Sequence, residues 1–373
     1  MKILQLGKFY PVKGGVEQVM YTLMEGLSER GISCDMLCAA LDGPTREIPL
    51  NSRARVICAG SIAKVAATMI SPAMVRKLRS IVGDYDIVHV HHPDPMSALA
   101  LFLSGYRGKV VLHWHSDILK QKTLLKFFMP LQRWLLRRAD LVIGTTPVYL
   151  SESPHLEGIG PKTAVLPIGI EPIAINHASA SRLRAEYPGR KIVFSLGRLV
   201  PYKGYEYLIR AAAKLPDDYV VLIGGSGPLR DHLDGLIGEL GLRSRVSLIE
   251  NISNEERAAY YGACDVFCLP SVQKTEAFGI VQIEAMSVGC PVVTTDIPGS
   301  GVPWVNAHGV SGLNVPIEDS DALARAIVSI AGDPGTRARY SLGALNRYRD
   351  LFTRPAMIDK CMELYETVLH GKG

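Results

Sequence analysis

Short apolar segments alternate with amphipathic segments along almost the whole chain of 373 residues. Between several of the apolar segments, apolar residues recur at helical spacing, as in VEQVMYTLMEGLSERG, a helix that we expect to end at Gly31. This alternation predicts βαβ units and a parallel sheet. In the first half of the chain the segments of strand length are KILQL (2–6), SCDMLCAA (33–40), DIVHVHH (86–92), KVVLHWH (109–115), LVIGTT (141–146) and TAVLPIG (163–169).

The same cycle restarts after residue 190, with KIVFSLGR, YVVLIGG, RVSLIE, DVFCLPS, CPVVTTD and SGLNVP as strands. A chain of this length exceeds the size at which one hydrophobic core usually stops growing. We therefore predict two doubly wound α/β domains, 1–168 and 169–353, with the boundary in PIGIEP (167–172), where Pro and Gly interrupt the pattern. The last helical segment, 354–373, is expected to pack back on the first domain.

The composition indicates the class of protein. The net charge of +5 is mild and does not indicate a nucleic-acid partner. The seven scattered cysteines are typical of buried thiols in a reducing compartment. The apolar stretch at the N-terminus is too short for a signal peptide, and no window approaches ~20 uninterrupted apolar residues. We therefore expect a cytoplasmic protein without a membrane-spanning helix.

Two stretches carry groups that suit an anionic ligand. Gly14 and Gly15 open a predicted helix, where exposed N–H groups favour an anion, although a tight turn would also explain them. Arg198 and Lys203 share the loop SLGRLVPYKG (195–204), and two cations on one loop suit a diphosphate better than they suit a solvated surface. The glycines of LIGGSGP do not have the spacing of a dinucleotide-binding motif, which disfavours a nicotinamide enzyme.

The stretch TEAFGIVQIEAMSVGC places two carboxylates around the start of a predicted helix. The N–H groups of Phe278, Gly279 and Ile280 would point out of the positive end of this helix, towards an anion or sugar hydroxyls. Glu276 precedes the helix and can reach the adjacent part of the same ligand. Glu284 lies inside the helix and can accept hydrogen bonds from a ribose diol.

Four motifs together, GGVE (14–17), GRLVPYKG (197–204), GGSGP (224–228) and EAFGIVQIE (276–284), make the chain resemble the retaining glycosyltransferases of the GT-B fold, family 4. The last is the E-x7-E motif of that family. The resemblance covers nearly the whole chain and implies two Rossmann-like domains that face a central cleft. It also implies a nucleoside diphosphate sugar as donor, without a cofactor.

The resemblance further implies roles for single residues. Arg198 and Lys203 would hold the donor diphosphate and Glu284 the ribose. Glu276 would face the transferred sugar. Gly15 would approach the donor from the other domain. The histidine that the family places near the sugar corresponds to His115, which as a lone histidine at a strand end could equally be a core residue.

The chain departs from the family pattern at two positions. The family usually has a glutamate after the proline of GSGVPWV, where this chain has Trp304, and a glycine at the end of the strand before ISNEE, where it has Asn251. Both departures concern recognition of the nucleotide and the sugar rather than the class of enzyme.

Two patterns resemble metal sites. Asp319-Ser320-Asp321 and Asp84-Tyr85-Asp86 both spell D-x-D, but the first is predicted to cap a helix and the second to precede a strand. Histidines also crowd two strand ends, and a metal-dependent hydrolase that uses His89, His91, His113 and His115 is an alternative function. Because side chains alternate along a strand, His91 and His92 should point apart, so we predict no metal site.

The stretch 118–138 carries six basic residues (Lys120, Lys122, Lys126, Arg133, Arg137 and Arg138) and no acidic residue after Asp117. A basic amphipathic helix is typical of an anionic membrane surface, although a core helix with a solvated face would look the same.

The leading hypothesis is a metal-independent transferase that associates with the inner face of the cell membrane. It would transfer mannose from GDP-mannose to a lipid-linked or saccharide acceptor in bacterial surface polysaccharide synthesis. A non-catalytic protein that only binds a nucleotide sugar remains a third alternative.

Overall fold

The computed structural model describes residues 1–12, 14–66, 68–118 and 122–371. Its contacts divide the chain into two compact units. Unit 1 comprises Met1–Gly169 together with Arg354–Gly373, and unit 2 comprises Ile170–Thr353.

Unit 1 is built on an eight-stranded sheet with the strand order β10-β9-β8-β7-β1-β2-β4-β3. Every neighbouring pair is parallel except β3 and β4. The separate strands β5 and β6 form an antiparallel pair. In chain order the elements are β1 (Lys2–Tyr10), α1 (Gly15–Glu29), β2 (Ser33–Ala40), β3 (Arg46–Asn51), β4 (Ala54–Ala59), β5 (Ala63–Val65), β6 (Thr68–Ile70), α2 (Pro72–Ile81), β7 (Ile87–His92), α3 (Pro95–Ser104), β8 (Lys109–Trp114), α4 (Lys122–Arg138), β9 (Leu141–Gly144), α5 (Pro147–Glu152) and β10 (Thr163–Val165).

Unit 2 contains a six-stranded parallel sheet with the order β13-β12-β11-β14-β15-β16. Its elements are α6 (His177–Ala185), β11 (Lys191–Leu196), α7 (Tyr205–Ala212), β12 (Tyr219–Gly224), α8 (Arg230–Glu239), β13 (Val246–Ile249), α9 (Asn254–Ala263), β14 (Val266–Leu269), α10 (Ile280–Ser287), β15 (Val292–Thr295), α11 (Val302–Val305), β16 (Gly312–Val315), α12 (Ser320–Ala331) and α13 (Pro334–Leu351). This is the strand order of a Rossmann sheet. Successive strands are added towards one edge from β11 to β13 and towards the other edge from β14 to β16, so the strand order reverses between β11 and β14.

The last helix, α14 (Arg354–His370), packs on α1 within unit 1. Arg354 forms ion pairs with Glu25 at 3.1 Å and Glu29 at 2.7 Å. Ile358 lies directly against Gly26 of α1, so that a side chain at position 26 would collide with it.

All twelve predicted strand segments contain strands, which confirms the alternation read from the sequence. The prediction missed β3, β4, β5 and β6, which lie between residues 46 and 70. β3 alternates between half-buried and exposed positions, and β5 and β6 have three residues each, so these three differ from the continuous apolar segments of buried parallel strands. β4 does contain a buried apolar segment, VICA, which the sequence analysis overlooked.

Sheet topology places the candidate residues. In a doubly wound sheet, ligands bind beyond the carboxyl ends of the strands where the strand order reverses. In unit 2 that point lies between β11, whose following loop carries Arg198 and Lys203, and β14, whose following loop carries Glu276. Residues that are far apart in the sequence therefore meet at one edge of the sheet.

Candidate active site

The loop after β11 packs against the loop after β14. The Val272 amide donates a hydrogen bond to the Tyr202 carbonyl at 2.8 Å. Gly204 has φ of 64°, and a Cβ there would collide with the Pro270 carbonyl oxygen. Glycine is required at this position by both its left-handed backbone and the close approach. The contact brings the basic loop alongside the E-x7-E stretch.

Lys203 and Glu276 form a buried ion pair. The distance from Lys203 Nζ to Glu276 Oε2 is 2.5 Å, and the two side chains are 8% and 12% exposed. The hydroxyl of Ser271 donates to the same oxygen at 3.0 Å. The sequence predicted separate ligands for these residues, whereas the structure joins them into one polar cluster. Breaking such a buried pair leaves an uncompensated charge.

Arg198 lies beside this pair on the same loop. Its Nη2 donates to the Tyr202 hydroxyl at 3.2 Å, and Lys203 Nζ lies 5.8 Å from the Tyr202 ring centroid. No ion pair is recorded for Arg198 among the described residues. Its guanidinium can therefore meet an anion without first giving up a carboxylate partner.

The start of α10 has an open set of backbone donors. Gly279 is the N-cap residue with φ of 74°, and it provides no side-chain cap. Within the described part of the chain, the N–H groups of Phe278, Gly279 and Ile280 have no hydrogen-bond acceptor. Unpaired N–H groups at a helix N-terminus form a site for a phosphate or another anion.

Glu284 is buried and held in one orientation. Its Oε1 lies 3.2 Å from Arg257 Nη1, and its Oε2 accepts from the Tyr261 hydroxyl at 2.7 Å. Burial raises the pKa of Glu284, while Arg257 and the Tyr261 hydroxyl oppose that rise. Each oxygen retains a lone pair for a ligand hydroxyl.

Sequence reasoning missed Arg257 and Tyr261. They stand four residues apart on α9 and therefore share one face of that helix. This spacing was a signal that they act together, but nothing in it indicated Glu284 as their common partner.

The glycines of the β12–α8 loop support the neighbouring backbone. Cβ atoms at Gly225 and Gly227 would collide with the carbonyl oxygens of Gly197 and Leu199. The Leu199 amide also donates to the Ser226 carbonyl at 2.9 Å. Because they have no side chains, these glycines allow the β12–α8 loop to contact the backbone of the loop that carries Arg198. This contact fixes the position of the Arg198 loop.

The departures from the family pattern have local structural explanations. Asn251 has φ of 55°, a left-handed conformation that glycine favours and asparagine tolerates. The backbone shape typical of glycine is therefore kept. Trp304 packs edge-to-face on Phe352 at 6.0 Å, and the Arg347 guanidinium lies 5.2 Å from its ring centroid. Trp304 is thus part of the packing between α11 and α13.

In unit 1, Gly15 is the exposed first residue of α1, which has no side-chain cap. His115 directly follows β8 and is 6% exposed. Its amide donates to the His92 carbonyl at 3.1 Å, which fixes the start of the loop. His115 belongs to a buried group of aromatic rings, as the core interpretation expects, and its role towards a ligand stays a prediction.

This group, the histidine stack, comprises His89, His91, His113 and His115. Neighbouring ring centroids lie 3.9–5.3 Å apart at interplanar angles of 16–33°. As predicted, His92 points away from it and stacks on Trp114 at 3.8 Å.

The histidine stack is poorly arranged for a metal ion. Ring nitrogens of His89, His91 and His113 lie within 4.8 Å of one another, which is close enough in distance. However, imidazole lone pairs lie in the ring plane, and nearly parallel stacked planes cannot direct them at one ion with Zn–N bonds of about 2 Å. Both nitrogens of His91 also have hydrogen-bond partners already.

The first D-x-D pattern, Asp319-Ser320-Asp321, caps α12, since Asp319 accepts a hydrogen bond from the Ala322 amide at 2.8 Å, as predicted.

The histidine stack should make the fold sensitive to acid. Burial lowers the pKa of His113 to about 3, from an ordinary 6.5. Because the unfolded chain binds this proton first, stability is complete above pH 6.5 and is lost as the pH falls towards 3. At pH 5 the share of His113 in this loss is about 2 kcal/mol.

We therefore expect wild type to lose about 2 kcal/mol more than His113→Phe between pH 7 and pH 5. Urea unfolding followed by tryptophan fluorescence measures the free energy of unfolding at both values. Equal losses in the two proteins would show that His113 is not held neutral in the folded state.

Helix α4 has one apolar and one basic side. Phe128, Gln132 and Leu135 are buried in unit 1. Among the side chains that the structure describes on this helix, the exposed ones are Lys126, Phe127, Pro130, Arg133 and Arg137, here called the α4 surface. Phe127 is 82% exposed, which is unusual for a solvated helix face. Of the predicted basic stretch, Lys120 and the side chain of Lys122 lie outside what the structure describes.

Arg138, the last basic residue of the stretch, has a structural role. It pairs with Asp140 at 3.3 Å and donates to the Tyr106 carbonyl at the same distance. Across the described ranges, no helix is both long and apolar enough to span a membrane.

The models of two protein families match the chain. "Glycosyltransferase Family 4" matches residues 13–172, and "Glycosyl transferases group 1" matches residues 180–347.

Full-length relatives have similar names. The chain is 32% identical to O-antigen chain mannosyltransferase C of Escherichia coli, with 100% of both chains covered. It is 31% identical to D-rhamnosyltransferase WbpZ of Pseudomonas aeruginosa, over 95% of this chain and 92% of the relative. It is 30% identical to a phosphatidyl-myo-inositol mannosyltransferase of Mycolicibacterium smegmatis, over 96% and 92%.

Solved structures share the fold. A sucrose-phosphate synthase from Thermosynechococcus elongatus has a TM-score of 0.82 at 22% identity, with 100% of both chains covered. Anabaena HepE in complex with UDP has a TM-score of 0.78 at 22% identity, over 98% of this chain and all of that one. The predicted GT-B fold class, with two Rossmann-like domains, is confirmed.

Proposed function

Because the chain belongs to family 4 of the GT-B glycosyltransferases, we propose that it is a retaining mannosyltransferase with GDP-mannose as donor. Its acceptor is a lipid-linked or saccharide intermediate of a bacterial surface polysaccharide. The observation that carries this proposal is the 32% identity to an O-antigen mannosyltransferase across 100% of both chains. The mannosyltransferase name of a second full-length relative supports the choice of sugar.

In this proposal the loops of unit 2 bind the nucleoside diphosphate. Arg198, Lys203 and the amides at the start of α10 stabilise the negative charge that develops on the leaving diphosphate. Glu284 accepts hydrogen bonds from the ribose hydroxyls. Glu276 faces the sugar, and its contact with Lys203 links the sugar end of the site to the diphosphate end. The roles that the family resemblance implies for Gly15 and His115 of unit 1 stay predictions.

A thermal-shift panel of GDP, UDP and ADP with their sugars tests the donor. A ligand that binds only the folded state raises the melting temperature, so GDP and GDP-mannose should give the largest shifts. Incubation of GDP-mannose with candidate acceptors then tests transfer, and the NMR coupling constant of the product reports whether the anomeric configuration is retained. Binding of GDP-mannose without transfer or hydrolysis would favour the non-catalytic alternative.

D-rhamnose is a second candidate sugar because a relative of 31% identity carries that name. D-rhamnose is the 6-deoxy form of D-mannose, so the rates of transfer from the two donors can be compared directly in the same assay. Faster transfer from GDP-D-rhamnose than from GDP-mannose would replace the proposed donor.

We propose that transfer needs no divalent metal, since Arg198 and Lys203 supply the positive charge at the diphosphate. Activity should therefore persist in EDTA. Complete loss in EDTA that manganese restores would contradict the proposal, and loss that only zinc restores would favour the hydrolase alternative.

We further propose that the α4 surface binds anionic lipid at the inner face of the cell membrane. Basic residues beside an exposed aromatic ring are typical of a helix that lies on a membrane. An apolar cavity of ≈ 290 Å³ opens beside Phe127, with Leu99 of α3 and Val65 of β5 in its wall. Such a surface suits a lipid-linked acceptor.

Changing Lys126, Arg133 and Arg137 together to serine should weaken binding to anionic vesicles by roughly 1 kcal/mol per residue. Co-sedimentation with phosphatidylglycerol vesicles measures the change. A control triple variant, Lys214, Arg243 and Arg325 to serine, alters the net charge equally in unit 2 and should bind almost as wild type does. Equal binding by both variants would make α4 an ordinary core helix with a solvated face.

A further inference from the structure

Within the histidine stack, His115 is hydrogen-bonded through a single nitrogen. Its Nε2 lies 2.8 Å from Nδ1 of His91. No described residue offers a partner to its Nδ1, and that atom is not among the fully buried unsatisfied polar atoms. One nitrogen of His115 is therefore engaged by the protein and the other is available to a ligand.

The next link of the chain is Gln5. His91 Nε2 lies 2.7 Å from Gln5 Oε1, while Gln5 Nε2 donates to the Tyr365 hydroxyl at 3.1 Å. The Tyr365 hydroxyl in turn lies 2.6 Å from His89 Nδ1. All four polar groups are fully buried, so water does not compete for these hydrogen bonds.

The orientation of the Gln5 amide, with Oε1 towards His91 and Nε2 towards the Tyr365 hydroxyl, determines the positions of the protons. A carbonyl oxygen only accepts, so Gln5 Oε1 requires the proton of His91 on Nε2. A neutral imidazole carries a single N–H, so His91 Nδ1 must accept, and His115 Nε2 must donate to it. His115 is then left with a lone pair on Nδ1. Burial lowers the pKa of both histidines well below the ordinary value, which keeps them neutral.

We infer that Gln5 and His91 are positioning residues that hold His115 as the Nε2–H tautomer, so that its Nδ1 accepts a hydrogen bond from a hydroxyl group of a ligand. The identity of the ligand as a sugar rests on the proposed function, whereas the tautomer does not. The opposite tautomer would present an N–H to the same hydroxyl oxygen and would not accept its proton.

The chain offers a matched control in His113. It lies in the same stack, with its ring centroid 3.9 Å from that of His115, but neither of its ring nitrogens has a partner among the described residues. His113→Phe and His91→Phe therefore disturb the same packing, while only the second removes a hydrogen bond to His115. His91→Asn returns an amide oxygen near the position of Nδ1 and serves as the rescue variant.

The experiment combines ¹⁵N NMR of histidine-labelled protein with kinetics, and His115→Gln assigns the resonances. In the wild type we expect His115 to show an unprotonated Nδ1 at pH 7. We expect His91→Phe to show mixed tautomers and a kcat about tenfold below that of His113→Phe, the size of one lost hydrogen bond. The affinity for GDP should stay unchanged, and His91→Asn should recover most of kcat.

A proton on Nδ1 of His115 in the wild type would overturn the inference, and so would equal kcat values for His91→Phe and His113→Phe. The NMR result is obtained without turnover and does not depend on folding of a variant. If the wild type shows the expected tautomer but transfers no sugar, the proposed function fails while the assignment of Gln5 and His91 is supported.

Discussion

Replacing Lys203 by alanine is expected to lower kcat by more than ~100-fold, the effect of removing one donor from a developing anion. Lys203 lies on the loop after β11, which also carries Arg198 and packs against the loop between β14 and α10. Its charge serves the leaving diphosphate and also balances Glu276 at 2.5 Å. Steady-state transfer at saturating donor measures the loss.

The variant also leaves Glu276 buried without its cation, which costs about 3–5 kcal/mol of stability when a buried pair is broken. The double variant Lys203→Met with Glu276→Gln removes both charges and separates the two effects. It should recover the melting temperature but not the activity. Lys214→Ala, which removes an exposed lysine paired with Asp321, should retain both. A loss of less than about threefold in Lys203→Ala would mean that its loop does not contact the diphosphate.

Substitution of the two glutamates of the E-x7-E motif is expected to affect different properties, the affinity for the nucleotide in one variant and kcat in the other. Glu284→Gln should weaken binding of free GDP as well as of the donor, because the amide keeps only one good acceptor for the ribose diol. The expected cost is about 1.5–3 kcal/mol, a factor of about 10–150 in Kd. Glu276→Gln should leave the affinity for GDP near wild type and lower kcat, a loss felt mainly in the transition state.

Calorimetry with GDP on both variants measures the affinities. Because Arg257 and Tyr261 hold Glu284, Tyr261→Phe serves as a control that keeps the carboxylate while loosening it, and we expect a smaller loss of GDP affinity. If Glu276→Gln loses GDP binding and Glu284→Gln does not, the two roles are reversed.

The sequence alone predicts the two doubly wound units, because the patterns that indicate their strands and helices each lie within a short stretch of the chain. Continuous apolar segments such as SCDMLCAA coincide with buried parallel strands, and helical spacing between them marks the crossovers. The GRLVPYKG and EAFGIVQIE motifs are also local, since each consists of a loop that follows one strand and the start of the next helix. Three of the strands between residues 46 and 70 have no continuous apolar pattern, because β3 is half-exposed and β5 and β6 have three residues each, whereas the buried apolar segment of β4 was overlooked.

Only the tertiary structure determines which side chains meet. Lys203 and Glu276 lie in different motifs, and their contact depends on the adjacency of β11 and β14 in the sheet. Gln5 and His91 are 86 residues apart and become partners because β1 and β7 are neighbours. The strand order determines which side chains become neighbours, and burial keeps water from competing for their hydrogen bonds. Neither the strand order nor the burial of a side chain can be derived from the residues that flank that side chain in the sequence.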